Sequence, residues 1–152
     1  MQALATITEG ELQADSSARL WALVSYLAEH AVDQTRTELR PFWLVYMYDS
    51  EVLNGGHLQY FHNQGTDGVM ETIEALHRIG AHEHAALLVE CWAKIRERPV
   101  SRVASLEEYS QLAGERSFAA EDNAYYALRA EVLPLLQEHY ASLLRSCVAV
   151  EA

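Results

Sequence analysis

With 152 residues, half of them hydrophobic, the chain is long enough to bury a core without a metal or disulfide staple, and its length is that of one domain. Its 22 acidic against 11 basic side chains leave a formal charge of −11, which disfavours direct nucleic-acid binding and favours basic partners. The longest apolar run, Phe42 to Tyr48, is far short of the roughly 20 residues that span a bilayer, and no basic stretch leading into an apolar run opens the chain, so a cytoplasmic protein with no membrane partner is expected.

Apolar residues recur at spacings of three and four almost throughout, and alternating patterns are scarce, which predicts an all-α fold: a single compact domain of about seven or eight helices. Residues 1–15 are polar and weakly patterned and read as an N-terminal arm, leaving 16–152 as the helical domain. The first helix is expected from a Ser16-Ser17 cap to about Asp33, burying Leu20, Leu23, Val24 and Leu27 with Trp21 beside them. The next has Pro41 in its first turn and turns Trp43, Leu44, Met47 and Tyr48 inward.

That helix should stop at Asn54-Gly55-Gly56, because Asn and Gly tolerate the left-handed backbone that ends many helices; a helix-turn-helix joint follows, with a short helix from about His57 to Asn63. Thr66 or Asp67 can cap a helix over 68–79 that Gly80 closes, and the pattern repeats over 82–97 with Leu88, Cys91, Trp92 and Ile95 before Pro99. Ser105 and Glu108 have the spacing of a capping box. Phe118, Tyr125, Leu128, Val132, Leu136, Tyr140 and Leu143 form the last stripe, with a break expected near 130–133 that puts Pro134 in the first turn of the final helix.

Four of the seven glycines fall in 51–68, so the joint is the first place to look for chemistry. Phosphate cradling needs a strand before the loop and a Gly-Lys-Ser/Thr after it, and neither is present. His57, His62, His77, His82 and His84 crowd together, but their spacings do not set metal ligands on one helix face, and Glu74-Ala-Leu-His77 has no second Glu-x-x-His; no metal and no cofactor are expected, and the histidines read as solvated or capping groups. No serine sits in Gly-x-Ser-x-Gly, and Cys91 and Cys147 read as buried thiols of a reducing compartment, so no catalytic residue is assigned and the chain does not read as an enzyme.

Carboxylates dominate what remains. Glu71, Glu74, Glu83, Glu90, Glu97, Glu107 and Glu108, with Glu115, Glu121, Asp122, Glu131 and Glu138, fall largely off the apolar stripes and should face water. Rigid rows of this kind can imitate the charge spacing of a DNA backbone and steer a basic partner. Ordinary solvated helix faces would have the same sequence pattern.

The ordered set Glu51-x-x-Asn54-Gly55-Gly56-x-x-Gln59-Tyr60-Phe61-x-Asn63-x-Gly65, followed by Ala75-Leu76-x-x-Ile79-Gly80-Ala81, resembles the signature of the bacterial DNA-mimic-protein (DMP-like) family, a domain otherwise of unknown function. Asp122-Asn-Ala-Tyr125-Tyr126-Ala-Leu128 is similar to its C-terminal helices. The resemblance implies an all-helical fold and, from the family's namesake, an acidic homodimer that occupies the DNA-binding surface of a transcription regulator; Trp21 or Tyr140 are candidates for burial across such a two-fold. Glu51, Asn54, Gly55, Gly56, Gln59, Tyr60, Asn63 and Gly65 carry over as motif positions. The alternative from another class is a small-ligand or catalytic pocket built on Glu51, Asn54, Gln59, Tyr60, His62 and Asn63, since polar groups at a tight turn on a rigid scaffold often form a site. Otherwise they are the joint's own hydrogen-bond partners.

Overall fold

The computed structural model describes residues 2–30 and 36–152. In chain order it comprises β1 (Ala5–Thr8), α1 (Glu9–Ala14), α2 (Ala18–Glu29), α3 (Leu39–Gln64), α4 (Val69–Arg78), α5 (His82–Glu97), α6 (Leu106–Glu115), α7 (Ala119–Tyr126), α8 (Val132–His139), α9 (Ala141–Cys147) and β2 (Val148–Glu151). The helical class is as expected. The chain clusters into two compact units, one of residues up to Trp43 together with Leu133–Ala152, the other Leu44–Val132.

In the first unit the expected arm is ordered. β1 pairs with β2 in parallel, with Ala5 opposite Val148 and Thr8 opposite Glu151. Thr8 then caps α1 through a capping box: its hydroxyl accepts the Glu11 N–H at 3.2 Å, and the Glu11 carboxylate accepts the Thr8 N–H at 2.7 Å. Helix α2 buries Leu20, Leu23, Val24 and Leu27 as the periodicity demands. The helix stops at Glu29, with His30 in extended backbone as its C-cap, short of the end expected near Asp33; residues 31–33 lie outside the described residues.

The Ser16-Ser17 cap is not made. The Ser17 hydroxyl turns away from the helix and donates to Gln137 Oε1 at 2.9 Å, so α2 begins without a side-chain cap. The final stripe breaks once more than expected, at Tyr140 between α8 and α9, while Pro134 does sit in the first turn of α8. Tyr140 is half-buried and meets the Phe42 ring edge-on at 5.6 Å between centroids.

In the second unit the inward stripe of α3 differs from the expected one. Val45, Tyr48, Asp49 and Val52 are buried, whereas Leu44 and Met47 are only half-buried, as is Trp43 just before the boundary. A stretch this rich in apolar residues does not by periodicity alone say which side faces inward; packing decides. Helix α4 starts at Gly68 without the Thr66 or Asp67 side-chain cap, and it ends at Gly80 in a Schellman pair, Ala81 N–H to the Leu76 carbonyl and Gly80 N–H to the His77 carbonyl. Helix α5 packs along α4 and α7 and buries Leu88, Cys91 and Ile95. The Ser105–Glu108 capping box opens α6 as expected.

Candidate functional site at the glycine joint

The helix pattern of α3 is interrupted only at Gly55 and Gly56, the position where the sequence places a stop and a restart. Gly56 has φ +77° and ψ −178°, a region almost closed to residues with a side chain. Asn54 does not take the left-handed position; no non-glycine residue described has positive φ. Crowding reinforces the backbone constraint, for a Cβ on Gly56 would lie 2.3 Å from Asp122 Oδ2, and one on Gly55 would lie 1.9 Å from Gln59 Oε1. Gly65, at φ +68°, ends the restarted helix with its N–H on the Phe61 carbonyl.

On the outer side of the joint, Glu51 gathers the motif amides. Its Oε2 accepts from Gln59 Nε2 at 2.7 Å and Asn63 Nδ2 at 3.0 Å, and its Oε1 accepts from Gln64 Nε2 at 3.0 Å. The carboxylate thus ties the helix before the kink to two turns of the helix after it. A shallow groove of about 380 Å³ runs beside it, lined by Met47, Ser50, Glu51, Asn54, Gln59 and Asn63.

The remaining members of the expected pocket point elsewhere. Tyr60 is buried, its ring 5.0 Å from that of Tyr48. His62 holds Asn63 Oδ1 with one ring nitrogen and accepts the Val103 N–H at 3.2 Å with the other. The motif's polar atoms are largely occupied by one another, the arrangement a structural joint requires.

On the inner side lies a chain of groups that sequence reasoning did not assemble. Asp122 Oδ1, on α7, accepts both the His57 backbone N–H at 2.9 Å and His57 Nδ1–H at 2.6 Å. With that proton on Nδ1, His57 Nε2 accepts the Tyr48 hydroxyl at 2.9 Å. Asp122 therefore caps the restarted helix, where a carboxylate also meets the positive end of the helix dipole.

A second buried pair lies alongside, with the Tyr125 hydroxyl donating to Asp49 Oδ1 at 2.5 Å. Burial pushes the Tyr48 and Tyr125 hydroxyls well above the ordinary phenol range and raises the Asp49 carboxyl. Burial also lowers His57, against the opposing pull of Asp122, and lowers His84. Both histidines stand as corrections to the expectation of solvated groups: His57 is fully buried and His84 nearly so.

Glu121 and Asp122, expected to face water, are turned inward as well. Glu121 is buried in an ion pair with Lys94, the chain's sole lysine, and Asp122 is committed to His57. Sequence signals for this core did exist: His57 follows the two glycines directly, and Asp122 and Tyr125 belong to the tail segment quoted above. Tyr48 and His57 have no exposed surface, so no substrate atom reaches the ring nitrogens, as proton transfer would require.

Among the described residues no group of three His, Cys, Asp or Glu could hold a metal ion, and no helix is long and apolar enough to cross a membrane. The carboxylates of the expected acidic surface, Glu71, Glu74, Glu83, Glu90, Glu97, Glu107 and Glu108, are all exposed on α4, α5 and α6. No curated protein and no solved structure matches the chain. The family model for DMP19-like proteins matches residues 33–146, which holds the glycine joint, the Asp122–His57 cap and α4 to α8, and on that match the chain belongs to the DMP19-like protein family.

Proposed function

We propose that the protein is an acidic binding protein of the cytoplasm that occupies the DNA-reading surface of a transcription regulator, or of another basic protein, in competition with DNA. The observation that supports this most is the row on α5. Glu83, Glu90 and Glu97 are exposed and seven residues apart, so each lies only about 20° around the helix from the last, with roughly 10.5 Å between them along the axis. Lys94 shares that side of α5, and its ion pair with Glu121 offsets its charge.

A helix holds these carboxylates at fixed separation without the entropy cost of ordering a loop, and three aligned charges attract a basic surface before contact. Glu71 and Glu74 stand exposed on α4, which packs along α5, and Glu74 is paired with Arg78 at 3.5 Å. Glu107 and Glu108 stand in the first turn of α6, where Glu108 is already engaged in its capping box.

The test is competition. A DNA-binding protein captured from the native cell at low salt should be released as salt rises, and the purified protein should then displace that regulator's DNA in a mobility-shift assay. Glu83→Gln/Glu90→Gln/Glu97→Gln should weaken the displacement at least tenfold while leaving the far-ultraviolet circular dichroism unchanged. A complex in which regulator, DNA and this protein sit together, or displacement indifferent to the three substitutions, would refute the proposal.

A further inference from the structure

In the first unit, away from the acidic helices, two arginines line one small pocket that contains no acid. Ser16 and Arg19 at the start of α2, Gln137 of α8, and Ala141, Leu144 and Arg145 of α9 enclose about 110 Å³. The Arg19 Nε atom is buried and has no hydrogen-bond partner. Arg145 makes a side-chain bond to Ser142 Oγ at 3.1 Å, and neither arginine has a carboxylate partner among the described residues. In a chain with twice as many acidic as basic side chains, two such guanidinium groups on one cavity are unexpected.

The remaining polar groups suit the same ligand. Gln137 is held in place by Ser17 Oγ–H donating to its Oε1 at 2.9 Å and by its own Nε2 donating to the Ser16 carbonyl at 2.9 Å, which leaves one amide hydrogen over. Because Ser17 is spent on Gln137, α2 has no side-chain cap, and its first turn holds no acidic residue. The one carboxylate at this helix end, Asp15, accepts the Ser17 N–H at 2.8 Å and is not among the residues that line the pocket.

We infer that this pocket binds a single phosphate-type oxyanion, with the Arg19 and Arg145 guanidinium groups as its principal donors. Two guanidinium groups on one cavity with no carboxylate between them leave positive charge that an anion in the cavity would offset, and the planar fork of arginine matches the oxygens of a phosphate. The volume is well below the roughly 300 Å³ at which whole-metabolite sites begin, so the cavity takes one group, either free phosphate or the end of a phosphomonoester. Nothing in this inference depends on the acidic row of α5.

The experiment is calorimetric titration of the full chain, in a buffer free of phosphate, with inorganic phosphate, phenyl phosphate and acetate, each against sodium chloride of equal ionic strength. Saturable binding of inorganic phosphate beyond the chloride baseline is expected; phenyl phosphate binding as well would place the phosphate of a larger molecule in an open-mouthed pocket. Arg19→Met and Arg145→Met should each weaken binding at least tenfold. Without phosphate, Arg19→Met should melt no lower than the parent, because no protein hydrogen bond to Nε is lost. No phosphate binding beyond chloride, acetate binding as tightly as phosphate, or a clear drop in the melting temperature of phosphate-free Arg19→Met would each overturn the assignment.

Discussion

At the scale of single residues, the joint depends on what Gly56 lacks. A Cβ there would be strained by the backbone and would collide with the carboxylate that caps the restarted helix. Gly56→Ala should therefore cost at least about 1–3 kcal/mol, read as a lower denaturant midpoint in urea unfolding. A midpoint within error of the parent would mean that the kink relaxes without strain.

His57 makes the second residue-scale prediction. Burial holds its folded-state pKa below the ordinary 6.5, despite Asp122. The unfolded chain then binds a proton that the folded chain resists, so stability contributed by the neutral ring is complete above pH 6.5 and is lost as pH falls below it. His84 is shifted the same way and adds to the slope, the Asp49 carboxyl, raised by burial, acts in the opposite sense, and the lowered carboxyls of Glu11, Glu108 and Glu121 titrate below this window. The urea midpoint should fall between pH 7.5 and 5.5, and a profile flat over that range in both the parent and Asp49→Asn would show that the buried rings do not resist protonation.

At the scale of elements, helices differ in what holds them. Helices α4 and α5 are anchored by buried faces, but α6 buries no residue fully and relies on the Ser105–Glu108 capping box at its start. Ser105→Ala should remove about 1 kcal/mol from α6, appearing as faster amide exchange over 106–112 with little change in α4 or α5. Equal acceleration in all three helices would show that α6 is coupled to the core after all. Caps and stops of this kind are short-range and were legible in the sequence, as at Ser105, Gly80 and the break before Pro134. The capping box of α1 had the same Thr8-x-x-Glu11 signature, but without an apolar stripe behind it the segment read as an arm.

The two strands were not legible. Each has four residues, too few for alternation to stand out, and their pairing joins positions 143 residues apart. The Ser17 cap failed for a related reason: its hydroxyl found a long-range partner in Gln137 that no local pattern announces. A side chain with two available partners, one local and one tertiary, is decided by packing.

At the scale of the whole molecule, net charge sets the conditions. A formal charge of −11 on 152 residues is self-repelling, and added salt screens it. Raising sodium chloride from about 0.02 to 0.3 M should lift the thermal midpoint, since the Debye length falls from roughly 20 Å to under 10 Å. An unchanged midpoint would mean that the exposed carboxylates are too far apart in the fold to repel. The same screening weakens attraction to a basic partner, so salt should stabilise the protein and dissociate its complex.

What the sequence determined by itself was the helical class, most helix ends, the family motif and the sign of the surface, because these follow from periodicity, backbone allowance and charge, all of them local or additive. Tertiary structure alone decided that Asp122 reaches His57 across 65 residues, that His84 and Glu121 are buried, and that Arg19 and Arg145 line one pocket. Those outcomes depend on which helix faces meet, and a helix pattern states that a face is buried without stating against what.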